Sequence, residues 1–181
     1  DGLWSMDLTA MADATTDRVK LVCIANPQNP TGRCYSLAEL QALGEFLERH
    51  DLLLVSDEIH CQLILDKDKH HLPIAHAVPE IAHRTVSLFA ATKTYNIPGL
   101  GCAAAVVPDP VLRERFLATR GDLVPGPGPL NYIASEAAFN DRSDWVPQLR
   151  ATLRRNHDLR KAVAGERMTR MEPTHMAGIH I

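Results

Sequence analysis

The chain has 181 residues, 45% of them apolar, enough for one domain with a sizeable core or one domain and part of another. A formal net charge of −3 leaves no electrostatic footprint for nucleic acid or for an anionic membrane surface. No apolar run approaches the ~18 residues of a membrane span, and the start lacks a signal-peptide pattern.

Asp1 is not an initiator methionine, so a processed or truncated chain is expected. Asp1 to Thr16 is short and polar-interrupted and shows no clear period. Val19 to Ala25 is apolar and rich in β-branched residues, the pattern of a buried strand. Asn26-Pro-Gln-Asn-Pro-Thr-Gly32 ends it with turn chemistry. Ser36 stands three residues before Glu39, a capping box, and Leu37, Leu40, Leu43 and Leu47 make the apolar stripe of the helix that follows. Arg49 and His50 close that helix at the negative end of its dipole. Leu52 to Asp57 is apolar without alternation, as a parallel strand covered on both faces should be. Strand, helix and strand in about forty residues is the βαβ unit of a parallel α/β sheet.

Asp66 to Glu80 is polar and twice interrupted by proline, and reads as a surface excursion. It holds His70, His71 and His76, with His83 just beyond. With no helical register to aim ligands, these histidines read as a solvated loop and not as a metal site. Thr85 to Ala90 and Cys102 to Val107 are two more strands. Asp109-Pro110 starts a helix whose buried face would be Leu112 and Phe116. Val124 to Leu130, with three prolines, is an ordered crossing loop. Helical patterns follow over Leu130–Asn140 and Asp144–Ala164, the second capped by Gly165 and long enough to bridge two domains. Met168 to Ile181 alternates loosely, like a strand entering another sheet. The four cysteines, Cys23, Cys34, Cys61 and Cys102, form no C-x-x-C pair, which suits a reducing, cytoplasmic compartment.

Three polar residues fall at strand ends: Asn29 after the first strand, Asp57 closing the second, Lys93 after the third. The carboxyl ends of parallel strands form the ligand crevice of an open sheet, so all three should converge on one edge. Lys93 lies between two apolar runs, where partial desolvation would lower its pKa and make the amine a usable nucleophile for carbonyl chemistry. Taken singly, Asn29 reads as a turn former, Asp57 as an N-cap and His60 as a satisfied core histidine. Tyr95 and Asn96 read as shaping the turn.

Asn26-Pro-Gln-Asn-Pro-Thr-Gly32, Ser56-Asp-Glu-Ile-His60 and Thr92-Lys-Thr-Tyr-Asn-Ile-Pro-Gly-Leu100 together resemble the signatures of fold-type I pyridoxal-phosphate (PLP) enzymes of the class I/II aminotransferase family. Asp-Glu-Ile-His and Asn-Ile-Pro-Gly-Leu are most similar to its carbon–sulfur lyase branch, the MalY/PatB cystathionine β-lyases. The resemblance implies an α/β fold: a three-layer αβα sandwich on a mostly parallel sheet, with the start of a small α+β domain. Residues 1–140 would belong to the PLP-binding large domain, and 141–181 would be the interdomain helix and the start of the small one. Lys93 would bind PLP as a Schiff base and shuttle the substrate's Cα proton. Asp57 would pair with the pyridine nitrogen; opposite charges ~4 Å apart attract by roughly 4 kcal/mol at an effective dielectric of 20, enough to keep the ring cationic. Asn29 and His60 would serve the ring's phenolic oxygen, and Thr92 the phosphate.

The chain departs from the common aminotransferase pattern at two places. Ala90 stands where a phosphate-gripping serine is usual, and Gly101 where an arginine is. Both departures weaken a transaminase reading and mildly support the lyase branch. The expected activity is therefore a carbon–sulfur β-lyase acting on cysteine-derived thioethers or disulfides, with a PLP aminotransferase as the alternative. A regulatory or scaffold protein retaining the PLP fold is the alternative of another class. By resemblance the partners are an amino-acid substrate carrying a β-sulfur and a second copy in a homodimer, with no nucleic acid or membrane. The 181 residues alone are expected to bind PLP poorly, since the phosphate-cradling helix and the carboxylate-clamping arginine lie outside them.

Overall fold

In the computed structural model, which describes residues 4–168 and 174–176, the capping box at Ser36 sets the first large helix. The Ser36 backbone N–H donates to Glu39 Oε2 at 2.8 Å, and the Glu39 N–H donates back to Ser36 Oγ at 3.3 Å. Helix α2 (Leu37–Arg49) follows a short α1 (Leu8–Ala14), which is capped by Asp7. The stripe read from the sequence is the buried face of α2: Leu40, Leu43 and Leu47 are fully buried, joined by Phe46, while Leu37 stays exposed. Gly44 lets α2 approach closely, since a Cβ there would lie 3.0 Å from Val78 Cγ1.

The sheet has four strands in the order β1 (Leu21–Ala25), β2 (Leu53–Asp57), β3 (Thr85–Ala90), β4 (Ala103–Val106). The first three run parallel, as the βαβ pattern requires, and β4 pairs antiparallel with β3. This is an α/β architecture with a mostly parallel sheet and flanking helices. The core lies between the sheet and α2, where Leu52 and Leu54 meet Leu40, Leu43, Phe46 and Leu47.

The expected surface excursion is corrected in part. A short helix α3 (Ile74–Ala77) and a 3-10 turn (Pro79–Arg84) form within and just beyond it, and Ile74, Val78 and Ile81 enter the core against α2. Prolines at 73 and 79 break the run too often for a helical period to show. His71 is not solvated either, because its Nε2 lies 2.6 Å from the fully buried Glu58 Oε2.

Helices α4 (Pro110–Arg120), α5 (Pro129–Phe139) and α6 (Trp145–Ala164) follow the sheet. Asp109 caps α4 as expected, its Oδ1 accepting from the Leu112 N–H at 2.7 Å. The buried face expected for α4 is not formed, because Phe116 is exposed and no residue of that helix is buried. Gly165 ends α6 at φ +56°, a conformation that favours glycine. The strand expected over 168–181 lies largely outside the described residues; of those described, Thr174 forms an antiparallel bridge to Ile64. Among the described residues no helix is long and apolar enough to cross a membrane.

Candidate active site

The parallel register brings three strand ends level. Ala25 pairs with Asp57, and Asp57 with Leu88. The pairing runs one residue further at each step: the Asn26 N–H donates to Asp57 O and the Glu58 N–H to Leu88 O, both at 2.9 Å. Everything just beyond these residues emerges on one edge of the sheet.

Asp57 is half-buried there, and its Oδ1 accepts from the Ile59 N–H at 3.2 Å. His60 is buried in the turn that follows, and its Nδ1 has no hydrogen-bond partner. Burial first, and then the charge of Lys93, hold the His60 imidazole below the ordinary histidine range, while Asp57 pulls the other way. So the Lys93 ammonium, the Asp57 carboxylate and the His60 ring share one electrostatic neighbourhood, although they are far apart in sequence. Lys93 itself is exposed, not partly desolvated as its flanking strands suggested. The turn after β3 buries Ala91 and Thr94 and carries the lysine between them outward. Thr92, beside it, is half-buried.

Asn29 is exposed in its turn, and its carbonyl accepts from the Gln28 side chain at 2.9 Å. No hydrogen bond joins it to Asp57, His60 or Lys93. The buried amide of this turn is Asn26. Its Nδ2 donates to Leu72 O at 3.2 Å and its Oδ1 accepts from the Tyr35 N–H at 3.3 Å, fastening the turn to the chain around it.

Two features of the site had no sequence signal. Glu58 is fully buried beneath Asp57, where it meets His71, accepts from Ser87 Oγ at 3.1 Å and faces the Ile74 N–H at 3.4 Å. It thereby ties β2, β3 and the 71–74 segment together. The second is His175, whose ring centroid lies 5.3 Å from that of His60. Helix α6 also reaches the edge: Trp145 Nε1 donates to Thr94 O at 3.0 Å, next to Lys93, and Arg150 Nε donates to Gln62 O at 2.8 Å. A 580 Å³ cleft lined by Cys61, Asp66, Lys67, Arg150 and Arg154 lies beside this edge, but Lys93 and Asp57 do not line it. Burial, with Glu58 adding, pushes the Cys61 thiol up, away from the reactive thiolate.

The chain matches the family Aminotransferase class I and II over residues 2–175 and belongs to it. It is 34% identical over 158 residues to the cystathionine β-lyase PatB of Bacillus subtilis (strain 168), covering 86% of this chain and 41% of PatB. It is 32% identical over 157 residues to an aspartate/prephenate aminotransferase of Nitrosomonas europaea, covering 83% and 38%. Among solved structures, cystalysin from Treponema denticola, which contains a pyridoxal 5'-phosphate cofactor, superposes with a TM-score of 0.88 at 27% identity, covering 97% of this chain and 46% of cystalysin. The chain thus spans less than half the length of each of these relatives.

Proposed function

We propose that the whole protein works as a PLP-dependent carbon–sulfur β-lyase on cysteine-derived thioethers or disulfides, releasing pyruvate, ammonia and a thiol from a thioether or a persulfide from a disulfide. The observation that supports this reading is that Asp57 and His60 follow β2 and Lys93 follows β3 at one sheet edge, with Lys93 and Asp57 both within electrostatic reach of His60. The donor set fits PLP. An accessible amine suits its aldehyde, a half-buried carboxylate its ring nitrogen, and a buried, unpartnered imidazole nitrogen its ring oxygen. When bound, PLP supplies the electron sink for a carbanion at the substrate's Cα.

The chain's own residues would do the rest. Lys93 would hold the cofactor and then carry the Cα proton on Nζ. The Asp57 carboxylate would keep the ring nitrogen protonated. His60 and Asn29 would hold the ring oxygen, and Thr92 would add a hydroxyl for the phosphate. Trp145 and Arg150 pin α6 across the same edge, so residues 141–181 would open the small domain against the site. A homodimer completes the picture by family resemblance.

The test uses the whole protein. PLP should give an absorbance band near the visible edge that Lys93→Ala abolishes, and cystathionine or cystine should yield pyruvate without any added 2-oxo acid. A band unchanged by Lys93→Ala would remove the reading. The family's name and the Nitrosomonas relative favour a second reading, an aminotransferase, in which product forms only when a 2-oxo acid acceptor is supplied. PLP binding with no turnover in either assay would instead mark a scaffold that retains the fold.

A further inference from the structure

Thr174 to Met176 bring one side chain to the site that none of the motifs contains. The Thr174–Ile64 bridge anchors this segment on one side. On the other, Arg160 Nη2 on α6 donates to His175 O at 3.2 Å. Held this way, the His175 ring packs against His60 with centroids 5.3 Å apart and planes tilted by 36°. Each ring has a buried Nδ1 without a hydrogen-bond partner. A single buried nitrogen left unpaired calls for an explanation, and two on facing rings call for a common one.

We propose that His175 is a positioning residue of the Lys93 site, coupled to His60 so that the first proton the pair takes up goes to His60 and disfavours a second on His175.

The charged groups facing the pair set that order. His60 faces Lys93 and the Asp57 carboxylate. His175 faces His60, Arg160 and Lys93, all of them cationic or able to become so. Burial is the main cause holding both rings below the ordinary histidine range, and Lys93 pushes both further down. Asp57 favours the charged form of His60 alone, and a protonated His60 then disfavours a second proton on His175. The result is one imidazole that charges ahead of the other, beside an amine that must lose a proton before it can attack a carbonyl carbon. The coupling belongs to the two rings and needs no cofactor; its use in catalysis rests on the reading of Lys93 given above.

The experiment is a histidine NMR titration of the whole protein without PLP, from about pH 8 to about pH 5, a range that brackets ordinary histidine titration. Two separate steps are expected, His60 first. In His60→Phe, which keeps the bulk but cannot charge, the His175 step should move to higher pH. His60→Gln gives a second reading should the phenylalanine variant fail to fold. In Lys93→Met both steps should move to higher pH. The proposal is overturned if His175 titrates at the same pH with and without an ionisable residue 60, or if both rings charge in one step. If PLP fails to bind while the steps remain coupled, the cofactor reading falls and the coupling stands. If PLP binds while the rings titrate independently, the coupling falls and the cofactor reading stands.

Discussion

Helices α2 and α4 are built by the same local rules and end in opposite states. Each starts at a side-chain cap, Ser36 or Asp109, and each carries a basic residue in its last turn. Yet α2 buries Leu40, Leu43, Phe46 and Leu47, whereas α4 buries nothing and leaves Leu117 55% exposed. The difference lies in what stands opposite. Helix α2 faces β2 and the Ile74–Ile81 segment. Among the described residues nothing comparable covers α4, or α6, where Val163 is 84% exposed. Caps decide where a helix runs; burial is decided by a partner that the cap does not encode.

The largest effect should come from the buried anchor in the packed half. Glu58→Ala would strand His71 Nε2, Ser87 Oγ and the Ile74 N–H, at a cost of about 3–5 kcal/mol read from urea unfolding of the 181-residue chain. Glu58→Gln should recover part of the loss, since it keeps an acceptor for Ser87. A loss near zero in the alanine variant would mean that the 71–74 segment is not tied down through this carboxylate. Next comes the direct contrast between helices. Leu43→Ala should cost about 2–5 kcal/mol, and Leu117→Ala no more than about 0.5 kcal/mol. A large loss at Leu117 in the longer protein but not in this chain would locate a covering element elsewhere in that protein. Then the caps themselves: Ser36→Ala should lower global stability by about 1 kcal/mol. Asp109→Ala should speed hydrogen exchange within α4 and leave the global midpoint unmoved.

The same division explains what could be read in advance. Ser36 with Glu39, Asp109 with Pro110, and Gly165 are local signals, and the structure uses each as a cap. The β-branched run at Val19–Ala25 and the alternation-free run at Leu52–Asp57 marked strands, and the ends of the second and third strands put Asp57 and Lys93 on one expected edge. What escaped was long-range. The antiparallel sense of β4 is a matter of pairing, not composition. Glu58 finds His71 thirteen residues on, inside a stretch whose prolines hid the spacing of Ile74, Val78 and Ile81. His175 reaches His60 through the Thr174–Ile64 bridge and the Arg160 contact from α6. Lys93, read as partly desolvated from its apolar flanks, is turned outward by the burial of Ala91 and Thr94 on either side.

The smallest effect is a pH dependence that separates the candidate site from α2. Burial alone would raise the Glu39 carboxyl, but the Ser36 N–H, the Ser36 hydroxyl and the Arg33 guanidinium outweigh it and hold Glu39 below its ordinary 4.5. A carboxylate depressed in the folded state contributes stability that is complete above that ordinary value and is lost as pH falls through the folded one. His60 and His175 behave differently. Their folded values lie below the ordinary 6.5, so below that pH the unfolded chain binds protons that the native state refuses, and stability declines. Two acid windows should therefore appear in the urea midpoint plotted against pH: one opening below about 6.5 from the site histidines, another below about 4.5 from the α2 cap. Glu39→Gln should flatten only the lower window and His60→Phe should shrink only the upper. If both variants changed the same window, the cap and the site would not be titrating independently, and the separation between the packed helix and the sheet edge would be narrower than the geometry implies.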